Sequence, residues 1–139
     1  MASGAKGEAL NVIRVLVIDD YQEHIDTLVN TLNIYGCEAR GVSSGAEGLR
    51  ICQEWQPHLV ICDGLLGNMR AWQFAYGLLE KDLSVRPYLV ALTGFGSKLQ
   101  RVLCEECGYD EYVHKPIELS TLLGWVQKSR LRSEQNFAI

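Results

Sequence analysis

A set of acidic, hydroxyl and ammonium side chains stands at the ends of apolar runs, and it comprises Asp19, Asp20, Asp63, Thr93 and Lys115. Carboxylate oxygens are preferred ligands of Mg²⁺, usually together with water and a phosphate. An aspartate can also accept a phosphoryl group covalently. In this interpretation an Asp63 oxygen attacks the phosphorus, and Asp19 and Asp20 hold the metal together with Asp63. Thr93 donates a hydrogen bond to the attached phosphoryl group, and Lys115 pairs with its charge.

Each of these residues also has an ordinary structural explanation. Asp20 can cap a helix, Thr93 can be a plain strand residue, and Lys115 can be a solvated loop charge. Asp63 by itself could only turn the chain. The combination supports the chemical interpretation, because separate apolar runs each end in a polar residue of a useful type.

The apolar runs alternate with helical patterns along the chain. Strands are predicted at 12–18, 37–42, 57–63, 88–92 and 112–113, and helices at about 21–35, 43–55 (capped by Ser43 or Ser44), 71–81, 97–107 and 118–128. Parallel strands need crossover connections, which helices usually supply. The sequence therefore predicts one doubly wound α/β domain, a (βα)5 unit with a five-stranded parallel sheet in the flavodoxin-like order 2-1-3-4-5. The ends of strands 1, 3, 4 and 5 would then share one edge.

Length and composition indicate one ordinary domain. The 139 residues are 47% hydrophobic and 22% charged, with a net charge of −4. We predict a flexible lead-in at 1–11, the domain at 12–129 and a frayed tail at 130–139. The acidic balance favours neither nucleic acid nor an anionic membrane as a direct partner. The sequence has no apolar leader and no run long enough to span a bilayer, so we expect a cytoplasmic location.

The cysteines are predicted to be structural. Cys37, Cys52 and Cys62 fall in predicted strands or helices, where a thiol behaves as a small apolar side chain. Only Cys104 and Cys107 have a motif spacing. A zinc site would need a second such pair or a histidine pair, and a redox pair would need cationic neighbours rather than the two intervening glutamates.

Four motifs, in this order, resemble the receiver domains of two-component response regulators: VLVIDD at 15–20, PHLVICD at 57–63, ALTG at 91–94 and HKPI at 114–117. The resemblance covers about residues 12–129. It implies a phosphorylation switch that promotes reactions of its own acceptor, not an enzyme. A sensor histidine kinase or a phosphotransfer protein would present phosphohistidine. The phosphoryl group would move to Asp63 with Mg²⁺ and later be lost by hydrolysis.

The resemblance also implies how the switch is read. The hydroxyl of Thr93 would move toward the phosphoryl group, and Tyr112, three residues before Lys115, would turn inward. The changed surface of the fourth helix, fifth strand and fifth helix would then bind a downstream protein partner or a second copy of the chain. Tyr112 would equally serve as a half-buried strand aromatic.

The stretch after Asp63 departs from the family pattern. Family members usually carry Met-Pro and then Asp-Gly there, whereas this chain has Leu66-Gly67 and Arg70-Ala71. Gly67 frees the backbone, so we expect a looser or differently shaped loop. Arg70 places a cation where an acid is common, and neither change removes a catalytic group.

Two apolar residues stand near the predicted site where some family members are polar. Leu65 follows Asp63 by two positions, and Phe95 follows Thr93 by two. Our hypothesis is that they hinder the attacking water and lengthen the lifetime of the aspartyl phosphate.

Three other functions use similar parts. A nucleotide- or flavin-binding module would need a glycine-rich phosphate turn where this chain has Asp19 and Asp20. An aspartate-based phosphohydrolase would place Asp-x-Asp after the first strand and needs a cap domain, for which 139 residues leave no room. A receiver that acts only as a phosphate-independent docking surface stays open because of the altered loop.

Overall fold

The computed structural model describes residues 12–84, 86–94 and 97–138. Within these ranges one parallel sheet contains β1 (Arg14–Ile18), β2 (Glu38–Val42), β3 (Leu59–Asp63), β4 (Tyr88–Thr93) and β5 (Glu111–His114). The helices are α1 (Gln22–Ile34), α2 (Gly45–Trp55), α3 (Ala71–Leu79), α4 (Lys98–Glu106) and α5 (Leu119–Ala138). The strands lie in the order β2-β1-β3-β4-β5, which confirms the predicted topology. The predicted lead-in at 1–11 lies outside the described residues.

The sheet divides the interior into two cores, because successive side chains of a strand point to opposite faces. One core lies beneath α2, α3 and α4 and contains Leu16 and Phe74. The other lies beneath α1 and α5 and contains Val17, Leu32 and Trp125. Helices therefore cover both faces, which explains why the central strands are nearly continuous apolar runs.

Local signals fix where several helices begin and end. Ser44 is the N-cap of α2, and its hydroxyl accepts a hydrogen bond from the Glu47 amide at 3.2 Å. Ser97 caps α4 in the same way, accepting from the Gln100 amide at 3.1 Å. Such caps satisfy amides that lack a partner within the helix. Gly36 adopts a φ of +90° just after α1, a conformation open to glycine at little cost.

The segment after β3, for which the sequence predicts a looser or differently shaped loop, forms a hairpin. Leu65–Leu66 pairs antiparallel with Met69–Arg70. Gly67 has a φ of +64° at the first turn position, the geometry that a two-residue type II′ turn requires. The freedom that glycine gives the backbone is used here to close a tight turn. We call this segment the 65–70 hairpin.

The last helix extends well beyond its predicted end at Lys128. It continues to Ala138, through most of the range 130–139 that the sequence predicts as a tail. Ser129 is buried, and the Arg132 guanidinium donates hydrogen bonds of 2.7 and 3.0 Å to the Asp110 carboxylate. These contacts stabilise the part of α5 after Lys128. That part is polar and lacks the apolar stripe from which a helix could have been predicted. Neither α5 nor another helix in the described ranges is long and apolar enough to cross a bilayer.

Candidate functional site

The structure brings the polar strand ends together at the carboxyl edge of the sheet. Asp19 and Asp20 follow β1, Asp63 ends β3, and Thr93 ends β4. Lys115 follows β5, and its backbone amide donates a 2.8 Å hydrogen bond to the Thr93 carbonyl. The positions come from the sheet order, because β3 lies between β1 and β4 and β5 pairs with β4.

The three carboxylates form one cluster. Asp19, Asp20 and Asp63 each offer an oxygen, and these oxygens lie within 4.8 Å of one another. Neighbouring ligands of one octahedral Mg²⁺ lie about 3 Å apart and opposite ones about 4 Å apart. The spacing of the cluster is thus of the order that the ligands of one such ion require. Its oxygen-only donor set also suits a hard cation, and a divalent cation would relieve the repulsion among the acids.

Lys115 supplies a fixed positive charge to this cluster. Its Nζ lies 3.0 Å from Asp63 Oδ1 and 3.3 Å from Asp19 Oδ2. Burial lowers the pKa of Lys115, but the two carboxylates outweigh burial and the net pKa is raised. The side chain is therefore a firmly charged ammonium.

The acidity of Asp63 reflects the same balance. Burial is the largest influence and raises its pKa, Lys115 lowers it, and the charges of Asp19 and Asp20 raise it again. The net pKa lies above the ordinary carboxyl value. An added cation would favour the carboxylate form that a nucleophile needs.

His24 is a site neighbour that the sequence reasoning missed. Its ring Nδ1 lies 3.1 Å from Asp19 Oδ2 and 3.5 Å from Lys115 Nζ. The Tyr21 amide donates a 2.9 Å hydrogen bond to Asp19 Oδ1. Asp19 is thus held by backbone, imidazole and ammonium together. The available signal was a histidine in the first turn of the helix that directly follows the two acids.

A cleft of about 330 Å³ opens above Asp63. Its lining includes Gly64, Thr93 and Lys115, with the 65–70 hairpin on one side and α4 on the other. Thr93 is buried, and a Cβ at Gly64 would stand 3.3 Å from its hydroxyl oxygen. Glycine at this position therefore leaves room beside the threonine hydroxyl. The cleft can admit a phosphoryl-sized group to the Asp63 carboxylate.

A family model described as the response regulator receiver domain matches residues 15–127. This chain belongs to the receiver domain family. The receiver domain is 30% identical over 123 residues to the DNA-binding response regulator MtrA of Mycolicibacterium smegmatis, covering 88% of this chain and 52% of MtrA. It is also 30% identical over 124 residues to the sensor histidine kinase AtsR of Burkholderia thailandensis, covering 87% of this chain and 20% of AtsR.

Solved structures show the same fold. A receiver domain protein from Clostridium thermocellum has a TM-score of 0.80 and 26% identity, and the match covers 88% of this chain and 98% of that one. The receiver domain of a Pseudomonas aeruginosa sensor histidine kinase, solved with magnesium in its active site cleft, has a TM-score of 0.76 and 18% identity, with coverage of 85% and 97%. The present receiver domain spans about half the length, or less, of the curated relatives named above.

Tyr112 of the receiver domain is already buried in this structure. Its side chain is 8% exposed and lines the cleft that contains Asp63 and Thr93. The Arg101 guanidinium of α4 lies 4.9 Å from the centre of the Tyr112 ring. The aromatic thus connects the cleft to α4, while its role as the switch residue stays a prediction.

The structure describes only one of the two apolar residues that we expect to hinder the attacking water. Leu65 lines the cleft and its side chain is half exposed. Phe95 lies outside the described residues.

The cysteines of the receiver domain are all free thiols. Burial raises the pKa of Cys52 to about 12 and that of Cys104 to about 11. These two thiols therefore stay protonated at neutral pH, which agrees with the structural role that the sequence predicts.

Proposed function

We propose that this receiver domain is a phosphorylation-dependent switch whose acceptor is Asp63. The supporting observation is the convergence at one cleft of the Asp63 carboxylate, the Lys115 ammonium 3.0 Å away, and the oxygens of Asp19 and Asp20. The donor would be a sensor histidine kinase or a histidine phosphotransfer protein, in keeping with the family. Mg²⁺ is the proposed cofactor, held by the three aspartates.

The transfer step needs one nucleophile and several charge-neutralising groups. An Asp63 oxygen attacks the phosphorus while the phosphorus–nitrogen bond of phosphohistidine breaks. The electron pair of that bond leaves with the imidazole nitrogen. Lys115 stabilises the phosphoryl oxygens by charge and Thr93 by hydrogen bonding. Mg²⁺, when bound, supplies further neutralisation of the same oxygens.

The phosphoryl group is removed from Asp63 by hydrolysis. Water attacks the phosphorus, the phosphorus–oxygen bond to Asp63 breaks, and its electron pair restores the carboxylate. Inorganic phosphate leaves with the oxygen from water. The domain thus promotes formation and loss of its own phosphoryl group and does not turn over a separate substrate.

The output is a change in the surface formed by α4, β5 and α5. Thr93 and Tyr112 line one cleft. A phosphoryl group that draws in the Thr93 hydroxyl would therefore change the packing around the Tyr112 side chain. Tyr112 contacts Arg101 on α4. We propose that this surface controls binding of a downstream protein or a second copy of the chain. The five free cysteines fit a reducing compartment, so we place this activity in the cytoplasm.

Intact-mass measurement tests the proposal. The wild-type chain, incubated with acetyl phosphate and Mg²⁺, should gain the mass of one phosphoryl group. A chelator that removes Mg²⁺ should prevent the gain. No adduct with acetyl phosphate or with other small donors would instead favour the phosphate-independent docking module, for which the 65–70 hairpin is the specific structural departure.

Leu65→Asn should shorten the lifetime of the phosphorylated form several-fold. The half-exposed leucine lines the cleft two residues after Asp63, where an apolar group leaves an attacking water without a partner. An asparagine amide could orient that water. Decay of the adduct is followed by mass after the donor is removed. Leu99→Asn, an exposed leucine on α4, is the matched control, and equal decay in wild type and Leu65→Asn would contradict the prediction.

A further inference from the structure

The 65–70 hairpin brings Arg70 back toward Asp63, the proposed acceptor. Its register pairs Leu65 with Arg70, and the Ala71 amide donates a 3.1 Å hydrogen bond to the Gly64 carbonyl. Directly paired residues of antiparallel strands have Cα atoms about 5 Å apart. Arg70 therefore lies within one strand spacing of a residue that is two positions from Asp63.

This return depends on Gly67. Its φ of +64° closes the turn, and a residue with a Cβ is strained in that conformation. The two departures from the family pattern are thus linked in this structure. Gly67 permits the turn, and the turn determines where Arg70 lies.

Arg70 differs from Lys115 in that, among the described residues, its charge is not paired with a carboxylate. Both line the cleft above Asp63, but Lys115 is shared between two carboxylates. Arg70 is exposed, and in the part of the chain that the structure describes its guanidinium makes no ion pair. It is available to an anion that enters the cleft.

Helix stability does not account for this arginine. Arg70 is the N-cap of α3, and the partial positive charge at a helix N-terminus opposes a cation there. An anion between the guanidinium and the cluster would turn this unfavourable placement into a favourable one. Guanidinium also presents parallel N–H donors that match two phosphate oxygens.

We propose that Arg70 binds an oxygen of the incoming phosphoryl group and speeds its capture by Asp63. The inference rests on the proposed function and adds a specificity: the site favours donors that carry more negative charge. The transfer chemistry is unchanged, since Arg70 forms no covalent bond and moves no proton.

The test compares rates of adduct formation in the full chain with acetyl phosphate and Mg²⁺. Arg70→Gln should slow the initial rate about fivefold, the upper range for an exposed ionic contact. Arg70→Lys keeps the charge and should recover an intermediate rate. Arg50→Gln is the matched control, because Arg50 is an exposed arginine on α2 whose partners are Glu47 and Glu54, and its rate should equal that of wild type.

Two further readouts separate a charge effect from a structural one. High salt should shrink the difference between wild type and Arg70→Gln, because exposed charges are screened. Phosphoramidate, a donor of lower net negative charge than acetyl phosphate, should also show a smaller difference.

The outcomes distinguish this inference from the proposed function. Equal rates for wild type and Arg70→Gln would overturn the role of Arg70 and leave Asp63 as the acceptor. A slow Arg70→Gln variant with a lowered melting temperature and no salt dependence would assign Arg70 a structural role and also overturn the inference. No adduct on the wild-type chain would overturn the proposed function itself.

Discussion

Asp63→Asn should carry no phosphoryl adduct under conditions that label the wild-type chain. The amide lacks the nucleophilic oxygen, whereas its size and shape nearly equal those of the carboxylate. Asp19, Asp20 and Lys115 remain in place, so the loss would be specific to the nucleophile. Intact mass after incubation with acetyl phosphate and Mg²⁺ measures the adduct. Peptide mapping of a persistent adduct would locate another acceptor and contradict the assignment.

Stability provides the folding control for this variant. The raised pKa of Asp63, caused mainly by burial, means that the folded chain holds this proton more tightly than the unfolded chain does. The contribution to stability is present below the ordinary carboxyl pKa and is lost as pH rises through the raised pKa. Ionised Asp63 therefore costs stability at neutral pH. Asp63→Asn removes that charge and should melt no lower than wild type at pH 7, and the variant should lack the gain in stability that wild type draws from Asp63 as the pH falls through its raised pKa.

Lys115→Met should slow phosphoryl capture at least tenfold and at the same time tighten Mg²⁺ binding. The ammonium lies 3.0 Å from Asp63 and 3.3 Å from Asp19, so it competes with a metal for the same carboxylates. Without it, the acids attract a divalent cation more strongly. The phosphoryl oxygens, however, lose the positive charge that the ammonium supplies.

The opposite signs of the two effects make the Lys115 prediction specific. Calorimetric titration with Mg²⁺ and the initial rate of adduct formation measure them separately. Lys128→Met is the matched control, because Lys128 pairs with Glu111 on the outer surface and should change neither quantity. A variant in which metal affinity and rate both fall would show a collapsed site instead of a lost cation and would contradict the prediction.

The strand framework could be predicted because each strand carries its own signal. β3 begins at Leu59 instead of the predicted Pro57, and the other predicted strand boundaries also differ by at most two residues from those observed. Buried parallel strands are long apolar runs, and the polar residue that ends each one marks the sheet edge. Asp63 and Lys115 are 52 positions apart along the chain. Their proximity could be predicted because the strand order places both at the same edge of the sheet.

Other features carried weaker signals in the sequence, or none. Strands of two residues are too short to show an alternation of apolar and polar side chains, so the sequence could not predict the 65–70 hairpin. The extension of α5 depends on the contact of Arg132 with Asp110, a pairing across 22 positions that no local pattern reveals. His24 belongs to the site because the first turn of α1 faces Asp19, a geometry that appears only once the helix is placed.

The two cores separated by the sheet give the molecule built-in optical reporters. Trp55 and Trp72 pack against the core beneath α2, α3 and α4, whereas Trp125 lies in the core beneath α1 and α5. Tyr112 belongs to the first core, so a rearrangement that begins at its ring reaches the first two indoles without crossing the sheet. Emission from single-tryptophan versions of the chain would therefore tell which face of the sheet responds, with no label attached.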